Sequence, residues 1–291
     1  MLWVIHHDDM DGRCSGAVVN RWHLAEGIDE AKFIESGHVK RPDLSGIKKG
    51  DMVVIVDYSL KDEEMVAVRK AVGDGGRVVW IDHHKTNLEG DQAGLVDSGE
   101  VEGVLDDSKA ACELAWEHFF PGEEPPLAVI LIGDFDTWTL GIPESLDFQY
   151  GMLSRECGPE DDIWEELLTA GEGADQDAVV DEIVGDGEII GRYRDRVMET
   201  YREEMGFECE FEGHKCYALN AGLFASLAFG DLIKEYDICI AFVFNGEKWK
   251  ITMYSKKVDV SEIAVKHGGG GHEGAAGFSA DALPFVAKKA P

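Results

Sequence analysis

The sequence predicts an α/β protein, with an N-terminal doubly wound, mainly parallel sheet domain, a helical connector and a second, smaller α/β domain. Three observations carry this. Apolar runs of strand length alternate with helical patterns through about residue 140, the rhythm of a parallel sheet with crossover helices. Several of those runs stop abruptly in Asp and His. Strand patterns then resume only after Phe207, beyond a long acidic helical stretch.

In order, Leu2-Trp3-Val4-Ile5 begins a strand over 2–7 and Ser15 to Leu24 reads as a helix. A strand is expected over 31–36, another over 52–57, a helix over Asp62–Val72 and a strand over 77–82. Helical segments follow at Ser108–Phe119, whose Ala110, Ala111 and Ala115 suit close packing on a sheet, and at Pro126–Ile132. From Glu160 to Met205 the pattern is helical and acidic, punctuated by Gly171, Gly173, Gly185 and Gly187. Beyond it, Cys216–Asn220, Ile238–Phe244 and Lys250–Tyr254 read as strands, with Asn245-Gly246 a two-residue hairpin signal. Leu223–Lys234 and Val260–Lys266 read as helices. The expected organisation is a first domain over residues 1–160, a connector over 161–205 and a second domain over 206–291.

Composition narrows the chemistry. The chain has 291 residues and a net charge of −31. Such a field repels duplex DNA, RNA and anionic membrane before contact and favours small substrates. The charge is uneven: from Gly206 to Pro291 there are 9 Lys+Arg against 11 Asp+Glu, a balance of −2, leaving −29 for the first 205 residues. Divalent cations would cancel part of the acidic excess. Six cysteines with no CxxC pair argue against a zinc ribbon or disulfide framework and for a reducing compartment. His and Asp among the first nine residues exclude a signal-peptide core, and no apolar run reaches membrane-span length. The expectation is a cytoplasmic protein with no membrane partner; homodimerisation is left open.

The strand ends supply the chemistry. Val78-Val79-Trp80-Ile81 ends in Asp82-His83-His84, Leu2-Trp3-Val4-Ile5 leads into His6-His7-Asp8-Asp9-Met10-Asp11-Gly12, and Met52–Val56 leads into Asp57. Sites in open parallel sheets form outside the carboxyl ends of the strands. His7, Asp9 and Asp11 are spaced by two, so a continued strand would put all three on one side, with His6 on the other. A further carboxylate lies in Gly133-Asp134-Phe135-Asp136-Thr137-Trp138. Oxygen and imidazole donors without thiolate favour Mn²⁺ or Mg²⁺ over structural zinc. Two such ions sharing a carboxylate would activate water and clamp both oxygens of a phosphoryl displacement. Strand-terminal caps and surface ion pairs are the plainer explanation for any one of these motifs, but not for three together.

A second constellation is Lys266-His267-Gly268-Gly269-Gly270-Gly271-His272-Glu273-Gly274-Ala275-Ala276-Gly277. Its glycines could form an anion-binding nest of backbone N–H groups, with His272 adding a donor.

Together these motifs resemble the DHH phosphoesterase superfamily with its C-terminal DHH-associated domain. The resemblance rests on His7/Asp9/Asp11-Gly12, Asp57, Asp82-His83-His84, the Gly-Asp at Asp134, and Gly269-Gly270-Gly271-His272 with Ala275-Ala276-Gly277, and it spans nearly the whole chain in order. It implies a two-metal, Mn²⁺-preferring site on the first domain and a substrate-holding surface on the second. Family members include RecJ-type exonucleases, small-oligonucleotide nucleases, cyclic-dinucleotide phosphodiesterases, pyrophosphatase-like enzymes and exopolyphosphatases. By the resemblance, His7 and Asp9 hold one metal, Asp11 and His83 the other, Asp57 bridges them, and Asp134 completes the second site with Asp136 as its rival. Asp82 orients a histidine, and His84 stabilises charge on the phosphoryl group.

The chain departs from the family where an Arg commonly precedes the Ser of the second domain. Here Tyr254 precedes Ser255, and the phosphate contact is lost or passes to Lys256 as a point charge. The expected activity is hydrolysis of phosphodiester bonds in a short oligonucleotide or linear dinucleotide. An exopolyphosphatase or pyrophosphatase-like enzyme is the alternative. A catalytically dead scaffold or nucleotide-binding regulator is a further one, although every metal position of the motifs is filled.

Overall fold

The computed structural model describes residues 1–28, 30–37, 40–88, 90, 92–169 and 174–288. The chain separates into two compact units, Met1–Gly191 and Arg192–Pro291. Gly171 and Gly173 of the expected connector lie outside the described residues.

The first unit runs β1 (Leu2–His7), α1 (Met10–Ala25), β2 (Ala31–Ser36), β3 (Met52–Val56), α2 (Asp62–Val72), β4 (Arg77–Asp82), α3 (Lys85–Leu88), α4 (Ala93–Asp97) and β5 (Glu102–Leu105). Helices α5 (Ala111–Phe119), α6 (Leu127–Asp136), α7 (Ser145–Leu153), α8 (Ile163–Leu167) and α9 (Ala174–Met205) follow, the last running on into the second unit. The five strands form a parallel sheet in the order β2-β1-β3-β4-β5. Both faces are covered, which is why β1, β3 and β4 carry continuous apolar runs, Leu2–Ile5, Met52–Val56 and Val78–Ile81, instead of alternating. Leu2, Val4, Val54, Val56, Val79 and Ile81 share a core with α1, α5 and α6. Trp3, Ile5, Val53, Ile55, Val78 and Trp80 pack on the other side with Met65, Val68 and Val72 of α2.

Helix α2 follows the expected limits because its signals are local. Asp62, Glu63 and Glu64 occupy the first turn and Arg69 and Lys70 the last, matching the helix dipole, and Gly73 ends it. Helix α1 instead begins five residues before the expected Ser15. Asp9 caps it by accepting the Gly12 N–H at 3.0 Å, so the strand stops at His7 and the helix starts at once. Gly12 is required there, since a Cβ would stand 2.5 Å from the His7 carbonyl oxygen. Strand β5 was not foreseen: it is four residues long and contains Gly103, whose φ of +134° and approach to the Trp80 carbonyl exclude a side chain.

The second unit runs β6 (Gly206–Phe211), β7 (His214–Leu219), a 3-10 turn (Ala225–Phe229), α10 (Leu232–Glu235), β8 (Ile238–Phe244), β9 (Trp249–Tyr254), α11 (Val260–Lys266), β10 (Gly270–His272) and β11 (Ala275–Ala280). Its mixed sheet has the order β10-β11-β9-β8-β7-β6, with β7 and β8 parallel and the other pairs antiparallel. Asn245-Gly246 does not form a two-residue hairpin. Phe244 pairs with Trp249, giving a four-residue loop in which the Asn245 side chain accepts the Glu247 and Lys248 N–H groups. The expected helix Leu223–Lys234 is divided, because Gly230 at φ +53° separates the 3-10 turn from α10.

Helices α7 and α9 meet through glycines. A methyl on Gly187 would stand 1.7 Å from the Asp147 carbonyl oxygen, whereas one on Gly185 meets nothing within 4 Å. Gly187→Ala should therefore destabilise the protein by about 1–3 kcal/mol by forcing the helices apart. Gly185→Ala should be neutral or stabilising by about 0.5–1 kcal/mol through helix propensity. Urea unfolding of both variants reads the contrast, and equal effects would contradict the packing.

Candidate metal centre

Register builds the site. His6 pairs with Val56 and Val56 with Ile81, so His7, Asp57 and Asp82 fall in one row across the carboxyl ends of β1, β3 and β4. This row lies where the chain order reverses between β1 and β3, the topological switch point at which open α/β sheets bind ligands.

Asp57 is central. Its Oδ1 lies 3.4 Å from His83 Nε2 and its Oδ2 3.8 Å from His7 Nδ1. His7 Nδ1 is 2.5 Å from Asp9 Oδ2. His83 Nε2 is 3.7 Å from Asp11 Oδ2 and 3.3 Å from Asp136 Oδ2. Three groups therefore bring ligand atoms within 4.8 Å of one another: His7-Asp9-Asp57, Asp11-His83-Asp136 and Asp57-His83-His84. His6 is on the opposite side, as alternation requires. It is buried with Nδ1 2.8 Å from the His7 carbonyl, and burial lowers its pKa.

The carboxylate from α6 that joins the cluster is Asp136; the expectation of Asp134 is corrected. Two residues apart on a helix means roughly 200° of rotation, so only one of them can face the site. Asp134 instead closes the following loop, accepting the Gly141 N–H at 2.9 Å, the Ile142 N–H at 3.1 Å and the Ser145 hydroxyl at 2.6 Å. Asp11 is not on a strand end either. It stands in the first turn of α1, fully buried, and accepts the N–H groups of Ala111 at 2.9 Å and Cys112 at 2.8 Å at the start of α5. The helix N-terminus steadies its charge.

Asp82 is also buried, and its role is positional. Oδ1 accepts the backbone N–H groups of His83 at 2.7 Å and His84 at 3.0 Å, and lies 2.7 Å from His84 Nδ1. Oδ2 accepts from the Asn87 amide, which also reaches the Ser59 hydroxyl. Asn87 escaped the sequence reading. Its signal is its place about one turn after His83-His84, within the short helix α3.

The electrostatics fit a cation. Burial, then repulsion by Asp11 and Asp9, raises Asp57 well above the carboxylate range. The same causes push Asp136 up to about 8, and burial raises Asp11. Burial also works against Asp9, but the His7 ring and the Gly12 N–H outweigh it and hold Asp9 at about 2. The hydrogen bond to Asp9 raises His7, and that to Asp82 raises His84. Asp57 Oδ2 is buried without a hydrogen-bond partner, and its residue is held at φ +52°, a sparsely populated region for a non-glycine. A buried carboxylate oxygen without a hydrogen-bond partner, on a residue with an unusual backbone angle, fits a position for a divalent cation. An all-oxygen-and-imidazole donor set suits Mn²⁺ or Mg²⁺.

The glycine run of the second unit is not an open nest. The Gly268 and Gly269 N–H groups donate to the Val265 and Ala264 carbonyls at the end of α11, and Gly270–His272 pairs as β10 with β11. Its glycines permit close backbone approach, since a Cβ on Gly269 would lie 2.1 Å from the Gly277 oxygen and one on Gly271 2.5 Å from Ala276 Cα. His272 stays exposed. Ser255 is likewise structural: buried, it donates to the Asp237 carbonyl at 2.7 Å and accepts the Lys257 and Val258 N–H groups. Lys256 beside it is exposed.

The first unit thus belongs to a class, parallel α/β domains with a clustered Asp/His centre at the strand ends. The sequence pattern of the DHHA1 domain matches residues 225–289. Uncharacterized protein R106 of Acanthamoeba polyphaga mimivirus is 23% identical over 246 residues, covering 78% of this chain and 52% of that protein. The chain therefore spans about half the length of that curated relative. RecJ from Thermus thermophilus, solved in complex with Mn²⁺, is similar with a TM-score of 0.52 at 16% identity, over 96% of this chain and 49% of RecJ. The pGpG-specific phosphodiesterase PggH of Vibrio cholerae is similar at 0.51 and 13%, over 96% and 93%. At such identities the likeness is one of fold. These findings support the DHH phosphoesterase superfamily as the group this chain resembles.

Thermal unfolding checks the electrostatics. In EDTA, Tm should fall between about pH 4 and about pH 8. Asp136 gives up its proton near 8 in the fold but near its ordinary 3.8 when unfolded, so the stabilisation present below pH 4 is lost as pH rises through 8. The raised His7 and His84 act with the same sign, and the lowered His6 opposes. Saturating Mn²⁺ should flatten the profile, with the Tm gain widening as pH rises, because cations replace protons on the carboxylates. A Tm that ignores Mn²⁺ at every pH would contradict the metal assignment.

Proposed function

We propose that this protein is a metal-dependent phosphohydrolase that cleaves phosphodiester bonds in short oligonucleotides or linear dinucleotides. The observation that carries the reading is Asp57, a strained, buried carboxylate with one oxygen facing each of two metal-capable groups. In this reading His7, Asp9 and Asp57 hold one divalent cation, and Asp11, His83 and Asp136 hold the other, with Asp57 shared. Mn²⁺ is the favoured ion and Mg²⁺ the alternative. Such ions supply Lewis acidity at the phosphoryl oxygens and lower the pKa of water.

The chain's own groups do the rest. Asp82 holds the Nδ1 proton of His84 and keeps the ring cationic to higher pH, so its second N–H can stabilise charge growing on a phosphoryl oxygen. Asn87 fixes Asp82 from behind. On the second unit, His272 is a donor for a substrate phosphate. All six cysteines are free and buried, which supports a reducing, cytoplasmic setting. Among the described residues no helix is long and apolar enough to cross a membrane. The net charge of −31 argues against duplex DNA as a partner.

The test is Mn²⁺-dependent turnover of 5′-phosphorylated dinucleotides, short oligonucleotides and polyphosphate, followed by chromatography. Mononucleotide release is expected. Orthophosphate from polyphosphate alone would replace this reading with the phosphoanhydride one, and no turnover of either would favour a regulatory role. Asp136→Asn and His83→Ala should each lower turnover by at least about 100-fold without unfolding the chain, whereas Asn87→Ala should cost about 10–100-fold. Asp134→Asn should act mainly on stability. Full activity in Asp136→Asn would remove it from the site.

A further inference from the structure

The second unit carries a basic notch that the metal chemistry does not use. Along β9, Ile251 and Met253 enter the core beneath α11, and alternation puts Lys250, Thr252 and Tyr254 on the other face of the sheet. Register orders that face into rows. Tyr254 stands opposite Ala275, and Ala275 opposite His272; Thr252 stands opposite Gly277, and Gly277 opposite Gly270; Lys250 stands opposite Ser279. The Tyr254 end is covered by Phe229 and its neighbours. At the other end Lys250 and Ser279 are exposed.

There β10 has already ended, leaving β11 unpaired on that side beyond Gly277. The gap is a cavity of about 570 Å³ lined by Lys248, Lys250, His267, Gly268, Gly269 and Ser279 among others. His267 is fixed by stacking on Phe278 at 4.5 Å and by Glu212 at 3.0 Å. Lys248 is 3.8 Å from the exposed Asp281, and Lys250 makes no ion pair among the described residues. Two lysines over a glycine-lined floor in a chain of net charge −31 mark a place for an anion.

We propose that this notch is a second phosphate subsite, taking a phosphate further along a linear substrate than the one assigned to His272. The inference rests on the phosphohydrolase reading and sharpens its substrate. Lys250 lies four residues along β9 from the row of Tyr254 and His272, about 13 Å at roughly 3.3 Å per residue. A 5′-phosphorylated dinucleotide carries two phosphates, and with the scissile one at the metals only one remains, so only longer chains can occupy both subsites. Its chemistry is that of successive phosphates, in an oligonucleotide or in polyphosphate.

Binding without turnover tests it. With the full chain in EDTA, fluorescence anisotropy should show a labelled 5′-phosphorylated hexanucleotide binding at least 10-fold more tightly than the dinucleotide. Lys250→Gln, and more so Lys248→Gln with Lys250→Gln, should remove most of that gain while changing dinucleotide affinity less than twofold. Each lost lysine should reduce the slope of log affinity against log salt by about 0.7, and Lys250→Arg should restore it. Competition by inorganic polyphosphate would assign the notch to bare phosphate chains, and its failure, with lysine dependence intact, to nucleotide chains. A hexanucleotide bound no better than the dinucleotide, or bound within twofold by Lys250→Gln, overturns the proposal. Because no step needs metal or cleavage, absent hydrolysis would sink the proposed function and leave this result readable.

Discussion

Mutual repulsion among buried carboxylates is the constraint around which the first unit is built. Asp11 and Asp57 are each about 1% exposed, and Asp9 and Asp136 stand close enough to act on them. Two like charges at about 4 Å, with an effective dielectric near 20, repel by about 4 kcal/mol. No core tolerates several such pairs without protons or cations among them. A parallel sheet covered on both faces offers one place where polar side chains can collect, the ends of its strands. Concentrating the carboxylates there requires a rigid frame, and the apolar runs of β1, β3 and β4 supply it.

The frame is set residue by residue, with each group anchored differently. Asp11 is held by two backbone N–H groups of α5, Asp9 by the cap of α1 and by His7, and Asp82 by His83, His84 and Asn87. Among the carboxylates of the cluster, Asp57 keeps a buried oxygen unpartnered, on a backbone in the left-handed region. In the proposed function this oxygen is the ligand shared by two cations, and fully satisfying Asp57 would relieve the strain at the cost of that ligand.

The sequence made most of this legible, for identifiable reasons. Apolar runs of four or five residues, bounded by Gly or charge and rich in β-branched side chains, read as buried strands, and strand ends carry their motifs with them. Helix α2 announced its own caps. What stayed hidden depends on three dimensions. Choosing Asp136 over Asp134 required knowing which side of α6 faces the sheet, which no local pattern states. The early start of α1 turned on the Asp9 cap, masked by reading His7, Asp9 and Asp11 as one extended run. The glycines before His272 serve backbone contact with β11 and α11, and Ser255 serves a turn, although both have the composition of an anion site. Small and polar residues are ambiguous because packing and binding ask for the same chemistry.

The division of charge between the units follows from the same electrostatics. With −29 in the first 205 residues and −2 in the remainder, the field around the Asp/His cluster repels polyanions. In the proposed function, affinity for phosphates comes from elsewhere in the chain, and Lys248 and Lys250 line a cavity of the second unit. Repulsion of this kind acts at long range against nucleic acid at large. In the proposed function, charge works against long polyanions, and the spacing along β9 favours binding of substrates that carry several phosphates.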